Sequence, residues 1–288
     1  MSLAPAAPRL AVPRPAAADL PTVLAALRDR PLVVLTGAGI STDSGIPDYR
    51  GPGSPARRPM TFDEFCSGPV ARQRYWARSH LGWARMRRAA PNAGHRALAE
   101  LEGRLDLLVT QNVDGLHEAA GSTVLPLHGR ISDVVCLDCR RVFSRAALQE
   151  ELAALNPGFV STHAEAATRP DGDVELEDTG RFVVPVCGCG GTLKPDVVFF
   201  GENVPADRVS RCYAAVDGLP ARDGALLVVG SSLAVMSGLR FVKRAHRLDV
   251  PVVIVNRGAT RGDELAAYTL ESGCSEFLTS LVESRVHV

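Results

Sequence analysis

Two short runs carry side chains suited to chemistry on a bound nucleotide. Gln111-Asn112-Val113-Asp114 supplies two amides and a carboxylate, and Leu127-His128-Gly129 supplies an imidazole. A histidine with an ordinary pKa of about 6.5 accepts a proton at neutral pH, which is what a general base must do. Asn112 is suited to orient a ribose hydroxyl or a water. Asp114 is suited to accept from a carboxamide amino group such as nicotinamide offers. His128, Asn112 and Asp114 are therefore the candidate catalytic set. Each has a plainer alternative at this level: His128 as a satisfied structural histidine, Asp114 as the N-cap of a helix from Gly115 to Ala120. A serine or cysteine nucleophile is not indicated. No G-x-S-x-G elbow occurs, and Cys66, Cys212 and Cys274 lack the surroundings of an activated thiol.

A second signal lies upstream. Thr36-Gly37-Ala38-Gly39-Ile40-Ser41 follows the apolar run Leu32-Val33-Val34-Leu35. Glycines after a buried strand allow a tight turn and close approach of backbone N–H groups to a pyrophosphate. The third glycine of a G-x-G-x-x-G fingerprint is replaced by Thr42, and the acidic residue expected about 20 positions later is missing. Taken alone, the motif reads equally as a tight strand-to-helix turn. Ser41, Asp48 and Arg50 then fall in a Gly/Pro-rich stretch ending near Arg58, which suits a loop folding over a nucleotide.

A third group concerns metal. Cys136 and Cys139 form a C-x₂-C pair, and Cys187 and Cys189 a shortened C-x-C pair. Two such pairs flanking β-like segments read as a tetrahedral four-thiolate zinc site, structural because no coordination position stays open. The alternative is four reduced cysteines without metal.

These residues need a scaffold, and the pattern supplies one. Apolar runs at 32–35, 105–109, 124–125, 225–229 and 252–255 each lead into a polar or glycine-rich loop. Continuous apolar strands alternating with helices predict an α/β fold, a Rossmann-like parallel sheet with helices on both faces. Ligands in such sheets bind beyond the carboxyl ends of the strands, so the five loops should meet at one cleft. Asp19 should cap a helix reaching about Arg30, with Pro21 in its first turn, and Asn92 another reaching about Glu102. Residues 61–90, with Phe62, Phe65, Tyr75, Trp76 and Trp83 among arginines, predict helices over the cleft, interrupted at Pro69 and closed by Pro91. Between Ile131 and Val198 the strands shorten and both cysteine pairs appear. The expected division is therefore a Rossmann-like domain of 19–130 and 199–288, with a helical insert at about 50–90, and a small zinc-ribbon domain of 131–198.

Composition narrows the function. A chain of 288 residues with 46% hydrophobic content has ample core for one large domain with an insert. Formal net charge is +0, so no global basic field exists to hold nucleic acid. The clusters Arg57-Arg58 and Arg87-Arg88 read as solvated faces. No apolar run approaches the roughly 20 residues a spanning helix needs. Residues 1–18 are rich in Ala and Pro without a compact apolar core, which predicts a disordered tail and a cytoplasmic protein. Seven cysteines, four of them in close pairs, favour metal over disulfides.

Together the motifs resemble the sirtuin family. The resemblance rests on Gly37–Ser41, Gly45-Ile46-Pro47-Asp48-Tyr49-Arg50, Gln111–Asp114, Leu127–Gly129, Leu193–Glu202, Gly230-Ser231-Ser232, Asn256-Arg257-Gly258 and Gly273-Cys274, in the family's order. Tyr49, the run Arg72–Arg78 and Pro170-Asp171-Gly172-Asp173 resemble its class II branch, which includes mitochondrial sirtuin four and bacterial relatives. The resemblance implies NAD-dependent removal of acyl groups from protein lysine, yielding nicotinamide, O-acyl-ADP-ribose and free lysine, with one structural zinc per chain. It implies that Gly37, Ala38, Gly39, Ser41, Asp48 and Arg50 cover NAD, and that Gln111, Asn112 and Asp114 hold the nicotinamide ribose. Gly230, Ser231, Ser232, Asn256, Arg257, Gly258 and Cys274 would line the adenosine half. Val198, Phe199, Gly201 and Glu202 would pair by backbone with an acyl-lysine peptide as an added strand. Tyr75 and Arg78, at i and i+3, resemble the pair with which class III sirtuins read acidic acyl groups, and predict some preference for such groups. Two other functions fit the same motifs: a protein ADP-ribosyltransferase, and a non-catalytic NAD or ADP-ribose sensor. Nicotinamide release on adding acyl-peptide separates enzyme from sensor, and the mass of the product separates transfer from deacylation.

Overall fold

The structure, a computed structural model, describes residues 17–48, 59–163 and 179–284. Most of the expected tail at 1–18, Arg50 with the rest of the loop to Arg58, and Pro170–Asp173 lie outside these residues.

Strands β1 (Leu32–Thr36), β2 (Leu105–Thr110), β3 (Val124–Pro126), β4 (Gly129–Cys136), β5 (Val142–Ser144), β6 (Leu193–Val197), β7 (Ala225–Val229), β8 (Val252–Val255) and β9 (Tyr268–Leu270) form two sheets among the described residues. The helices are α1 (Leu20–Leu27), α2 (Phe62–Cys66), α3 (Pro69–Arg88), α4 (Ala93–Glu100), α5 (Leu116–Ala119), α6 (Arg145–Leu155), α7 (Phe159–Thr162), α8 (Ala206–Gly218), α9 (Met236–Arg247) and α10 (Cys274–Glu283).

The larger sheet runs β3-β2-β1-β7-β8-β9 and is parallel throughout. Its central strands are unbroken apolar runs because both faces are covered. Val33, Leu35, Leu226, Val228, Val252 and Ile254 face α8 and α9, in a core shared with Val216, Leu239, Phe241 and Val242. Leu32, Val34, Ala225, Leu227, Val253 and Val255 face α1, α4 and α10, against Leu27, Leu98, Phe277 and Leu278. The strand order turns back between β1 and β7, and the crevice beyond their carboxyl ends is where such sheets accept ligands.

Helix starts follow local chemistry. Asp19 accepts from the Thr22 N–H at 3.0 Å at the head of α1. That helix ends at Leu27 rather than near Arg30, and Asp29 adopts φ 59 in the turn after it. Asn92 caps α4, and its own N–H donates to His95 Nδ1 at 3.3 Å in a reciprocal capping box.

The smaller sheet is antiparallel, order β5-β4-β6. It packs with α6 against α3, the second helix of the expected 61–90 pair, around Phe65, Trp76, Val134, Leu148, Leu152 and Phe182. Arg145 at the start of α6 is fully buried, its guanidinium 5.4 Å from the Trp76 ring centre and 4.7 Å from that of Trp83. It donates to Gln149 Oε1 and the Ser79 carbonyl, and burial pulls its pKa down to about 10, so it stays charged. Two indole faces thus take the place of a carboxylate in stabilising this cation.

Candidate active site

The loops after β1, β2, β7 and β8 meet in one cleft of about 1090 Å³. Gly37 and Gly39 make that convergence possible. A Cβ on Gly37 would lie 2.7 Å from the Gly230 carbonyl oxygen, and one on Gly39 2.8 Å from Gly230 Cα. Their N–H groups are already spent on the Val229 and Gly230 carbonyls, at 3.1 and 2.8 Å. Those two N–H groups are therefore already paired within the chain. The glycines line the cleft, but what they supply is contact between the β1 and β7 loops.

Beyond β2 the Gln111–Asp114 turn is fixed by directed hydrogen bonds. Asn112 Nδ2 donates to the Gly37 carbonyl and to Ser41 Oγ, each at 3.0 Å. Ser41 Oγ donates to Asp114 Oδ2 at 2.7 Å, and Asp114 Oδ1 accepts from the Leu116 N–H at 3.0 Å. Both amide hydrogens of Asn112 are thus used, and its side chain keeps an acceptor oxygen for a ligand hydroxyl. Asp114 holds the start of α5 while lining the cleft. Burial pushes its carboxyl pKa up, opposed by the Leu116 and Ser41 hydrogen bonds. Gln111 accepts from Ser231 Oγ at 2.6 Å and rests on Gly238, where a Cβ would lie 2.8 Å from its Nε2.

His128 enters the cleft between β3 and β4. One ring nitrogen, Nδ1, lies 2.8 Å from the Gln111 carbonyl oxygen, and Nε2 lies 2.8 Å from Ser237 Oγ. A carbonyl only accepts, so Nδ1 carries the proton and Nε2 the lone pair. Burial lowers the pKa of the ring, and nearby Arg208 adds to the effect, so His128 is neutral at pH 7. Next to it, Gly129 at φ 82 passes so close to the Asp196 carbonyl that a Cβ would sit 1.9 Å from that oxygen. The His128 carbonyl accepts from the Val198 N–H at 2.8 Å.

Most expected site residues line this cleft. Ala38, Asp48, Ser232, Asn256, Arg257, Gly258 and Cys274 do so, as do Val198, Phe199, Gly201 and Glu202. Burial holds the Cys274 thiol protonated, its pKa pushed up to about 12. Glu202 is committed elsewhere: Oε2 accepts from the Phe199 N–H and lies 2.9 Å from Lys194 Nζ. Its side chain shapes the 199–202 turn. Of Tyr75 and Arg78, only Tyr75 lines the cleft, in an aromatic cluster with Phe65 and Phe199. Three residues along a helix leave about 60° between side chains, and Arg78 falls outside the lining. Ser237 and Arg240 line the cleft and are not legible in the sequence, since neither belongs to a motif that announces chemistry.

The cysteines also converge. The four Sγ atoms of Cys136, Cys139, Cys187 and Cys189 lie within 4.8 Å of one another, with 3.6 Å between Cys136 and Cys189 and 3.7 Å between Cys139 and Cys187. Tetrahedral Zn–S bonds of about 2.3 Å put thiolates about 3.8 Å apart, so the set fits zinc. The shortened pair reaches because the Cys187 turn closes on itself, with Cys187 N–H donating to Gly191 O at 2.9 Å. A Cβ on Gly191 would meet Cys136 Sγ at 2.7 Å.

Residues 37–237 match the model of the Sir2 family. The chain belongs to the Sir2 family. It is 52% identical over 274 residues to NAD-dependent protein deacetylase 1 of Mycobacterium avium, covering 92% of this chain and 95% of that protein. It is equally identical over 277 residues to NAD-dependent protein deacetylase 1 of Streptomyces coelicolor, covering 93% of this chain and 91% of that one. Among solved structures, a complex described as Sir2-p53 peptide-NAD+ superposes with TM-score 0.70 at 30% identity, covering 94% of this sirtuin and all of that chain. Sir2Tm bound to a propionylated peptide superposes at 0.71 with 28% identity and the same coverage. No helix among the described residues of this sirtuin is long and apolar enough to cross a membrane.

Proposed function

We propose that this protein is an NAD-dependent protein-lysine deacylase with His128 as its general base. The observation that carries the reading is the placement of the His128 ring. Its Nδ1–H is fixed to the Gln111 carbonyl, and its lone pair faces the cleft that Asn112, Ser41 and Asp114 also line. Similarity to named NAD-dependent deacetylases over most of both chains supports it.

NAD, when bound, supplies an electrophilic ribose carbon, a leaving nicotinamide and a hydroxyl that accepts the acyl group. The chain's own residues orient and deprotonate. Asp114 would accept from the carboxamide amino group, and the remaining acceptor of Asn112 would receive a ribose hydroxyl. His128 Nε2 would take the proton of the sugar hydroxyl that attacks the acyl carbon. The 198–202 segment forms one wall for an acyl-lysine peptide, with Lys194 and Glu202 bracing its turn. One water would be consumed, and free lysine, nicotinamide and O-acyl-ADP-ribose would be the products. Cys136, Cys139, Cys187 and Cys189 would hold zinc in a purely structural role.

The two separate sheets support a division into a nucleotide lobe of 19–130 and 199–288 and a zinc lobe of 131–198. Tyr49 and the Arg72–Arg78 run support the class II branch. Cysteines gathered as metal ligands support a reducing compartment such as the cytoplasm. Tyr75 at the cleft supports a preference for acidic acyl groups, and Arg78→Ala tests it: a selective loss with succinyl and glutaryl over acetyl peptides is expected, and an equal effect on all three rejects the preference.

His128→Tyr tests the central claim. NAD should still bind, while deacylation, followed by mass spectrometry, falls about 10²- to 10⁴-fold. Wild-type turnover in that variant would sink the assignment.

A further inference from the structure

Ser237 is the second residue of α9, remote in sequence from the other groups that touch His128. Its Oγ lies 2.8 Å from His128 Nε2 and lines the same cleft. Because Nδ1–H is committed to the Gln111 carbonyl, the neutral ring offers Nε2 only as an acceptor, and the serine hydroxyl donates to it. The hydroxyl is rigidly mounted. Leu239, Phe241, Val242 and Ala245 of α9 are buried in the core against the sheet. At the next position, Gly238 lets the Gln111 side chain lie against the helix backbone, and Gln111 is itself tied to Ser231. The imidazole is therefore gripped at both nitrogens, by Gln111 on one side and α9 on the other.

We propose that Ser237 is a positioning residue for His128. Its hydroxyl occupies the lone pair of the base in the resting enzyme, holds the ring in its single tautomer, and yields the nitrogen to the sugar hydroxyl when substrates seat. A hydroxyl both donates and accepts. Once Nε2 has taken the sugar proton, Ser237 can rotate and accept from the new N–H, keeping its own proton throughout. It exchanges no proton with substrate, so it tunes the base rather than replacing it. The inference rests on the reading of His128 as general base, and deepens that reading.

The test combines kinetics with the imidazole spectrum. In Ser237→Ala, kcat for deacetylation should fall about tenfold, short of the roughly 10²-fold that a misplacement of about 1 Å can cost, while NAD affinity stays within about twofold. Ser237→Thr keeps a hydroxyl and should recover most of the loss. Added to His128→Ala, the serine change should have no further effect. With ¹⁵N-histidine labelling and His128→Ala to identify the signal, wild type should show the Nδ1–H tautomer and Ser237→Ala a mixture. Unchanged kcat and an unchanged tautomer in Ser237→Ala overturn the proposal, as does an equal loss in the His128→Ala background. Full turnover in His128→Ala is a separate failure: it removes the base itself and with it any kinetic part for Ser237. A dead His128→Ala beside an unaffected Ser237→Ala sinks this proposal alone.

Discussion

The two sheets of this sirtuin hold their shape by different means. The parallel sheet is clad on both faces, and strands such as Ala225–Val229 are buried at every residue. The antiparallel sheet is short-stranded and leaves Val142 on its edge 56% exposed, but it carries four converging thiols. One region rests on apolar burial and the other on a coordination centre. The difference explains where polar groups are tolerated. The heavily clad sheet can hold neutral histidines and ligand-facing amides at its rim, whereas the small sheet spends its polar groups on metal.

That contrast can be broken most severely at the cysteines. Structural zinc contributes about 10–16 kcal/mol in small metal-dependent folds. Cys187→Ser should therefore lose bound zinc and deprotect amides in β4–β6 to hydrogen exchange, while β1, β7 and β8 keep their protection. Equal protection in both sheets of the variant would show that the thiols are not what holds the small one.

A smaller loss is expected from the apolar side. Leu227→Ala, at a fully buried position of β7, should lower unfolding free energy by about 2–5 kcal/mol, against less than about 0.5 kcal/mol for Val142→Ala. Chemical denaturation reads both, and comparable losses would erase the distinction.

The mildest test is pH. His95 and His117 lie with ring centres 4.8 Å apart and ring planes tilted by 60°, and burial pulls their pKa values down to about 4 and about 3. For His95, Arg96 lowers the value further and Asp43 opposes it; for His117, His95 adds to the lowering. Both stay neutral in the folded state while the unfolded chain takes up protons below about 6.5. Stability is complete above that pH and declines as pH falls from about 6.5 toward about 3. Melting temperature should drop by several degrees between about pH 7.5 and about pH 5, and His95→Gln should flatten the slope. A flat profile in the wild type would refute the buried neutral pair.

What is legible in the sequence, and what is not, follows the same divide. The continuous apolar runs of β7 and β8 are readable because both faces bury, and Asp19 and Asn92 are readable as caps because side-chain oxygens satisfy orphan N–H groups. Edge strand β9 is not, since its three residues, Tyr268, Thr269 and Leu270, are each only half-buried and form no apolar run. His95 is hidden as the capping partner of Asn92, because a histidine there lies outside the usual Glu/Gln pattern. The C-x-C pair puts zinc geometry in question by its spacing, yet the turn at Gly190–Gly191 brings its sulfurs within reach. Ser237 stays hidden because only tertiary contact brings it to His128.

One backbone bond has a mechanical meaning. The His128 carbonyl is hooked to Val198, at the root of the segment that would receive an acylated peptide. A rocking motion of the small lobe would drag on the imidazole through a single residue's main chain. Substrate seating and alignment of the base should then rise and fall together across variants of β6, as two readings of one displacement.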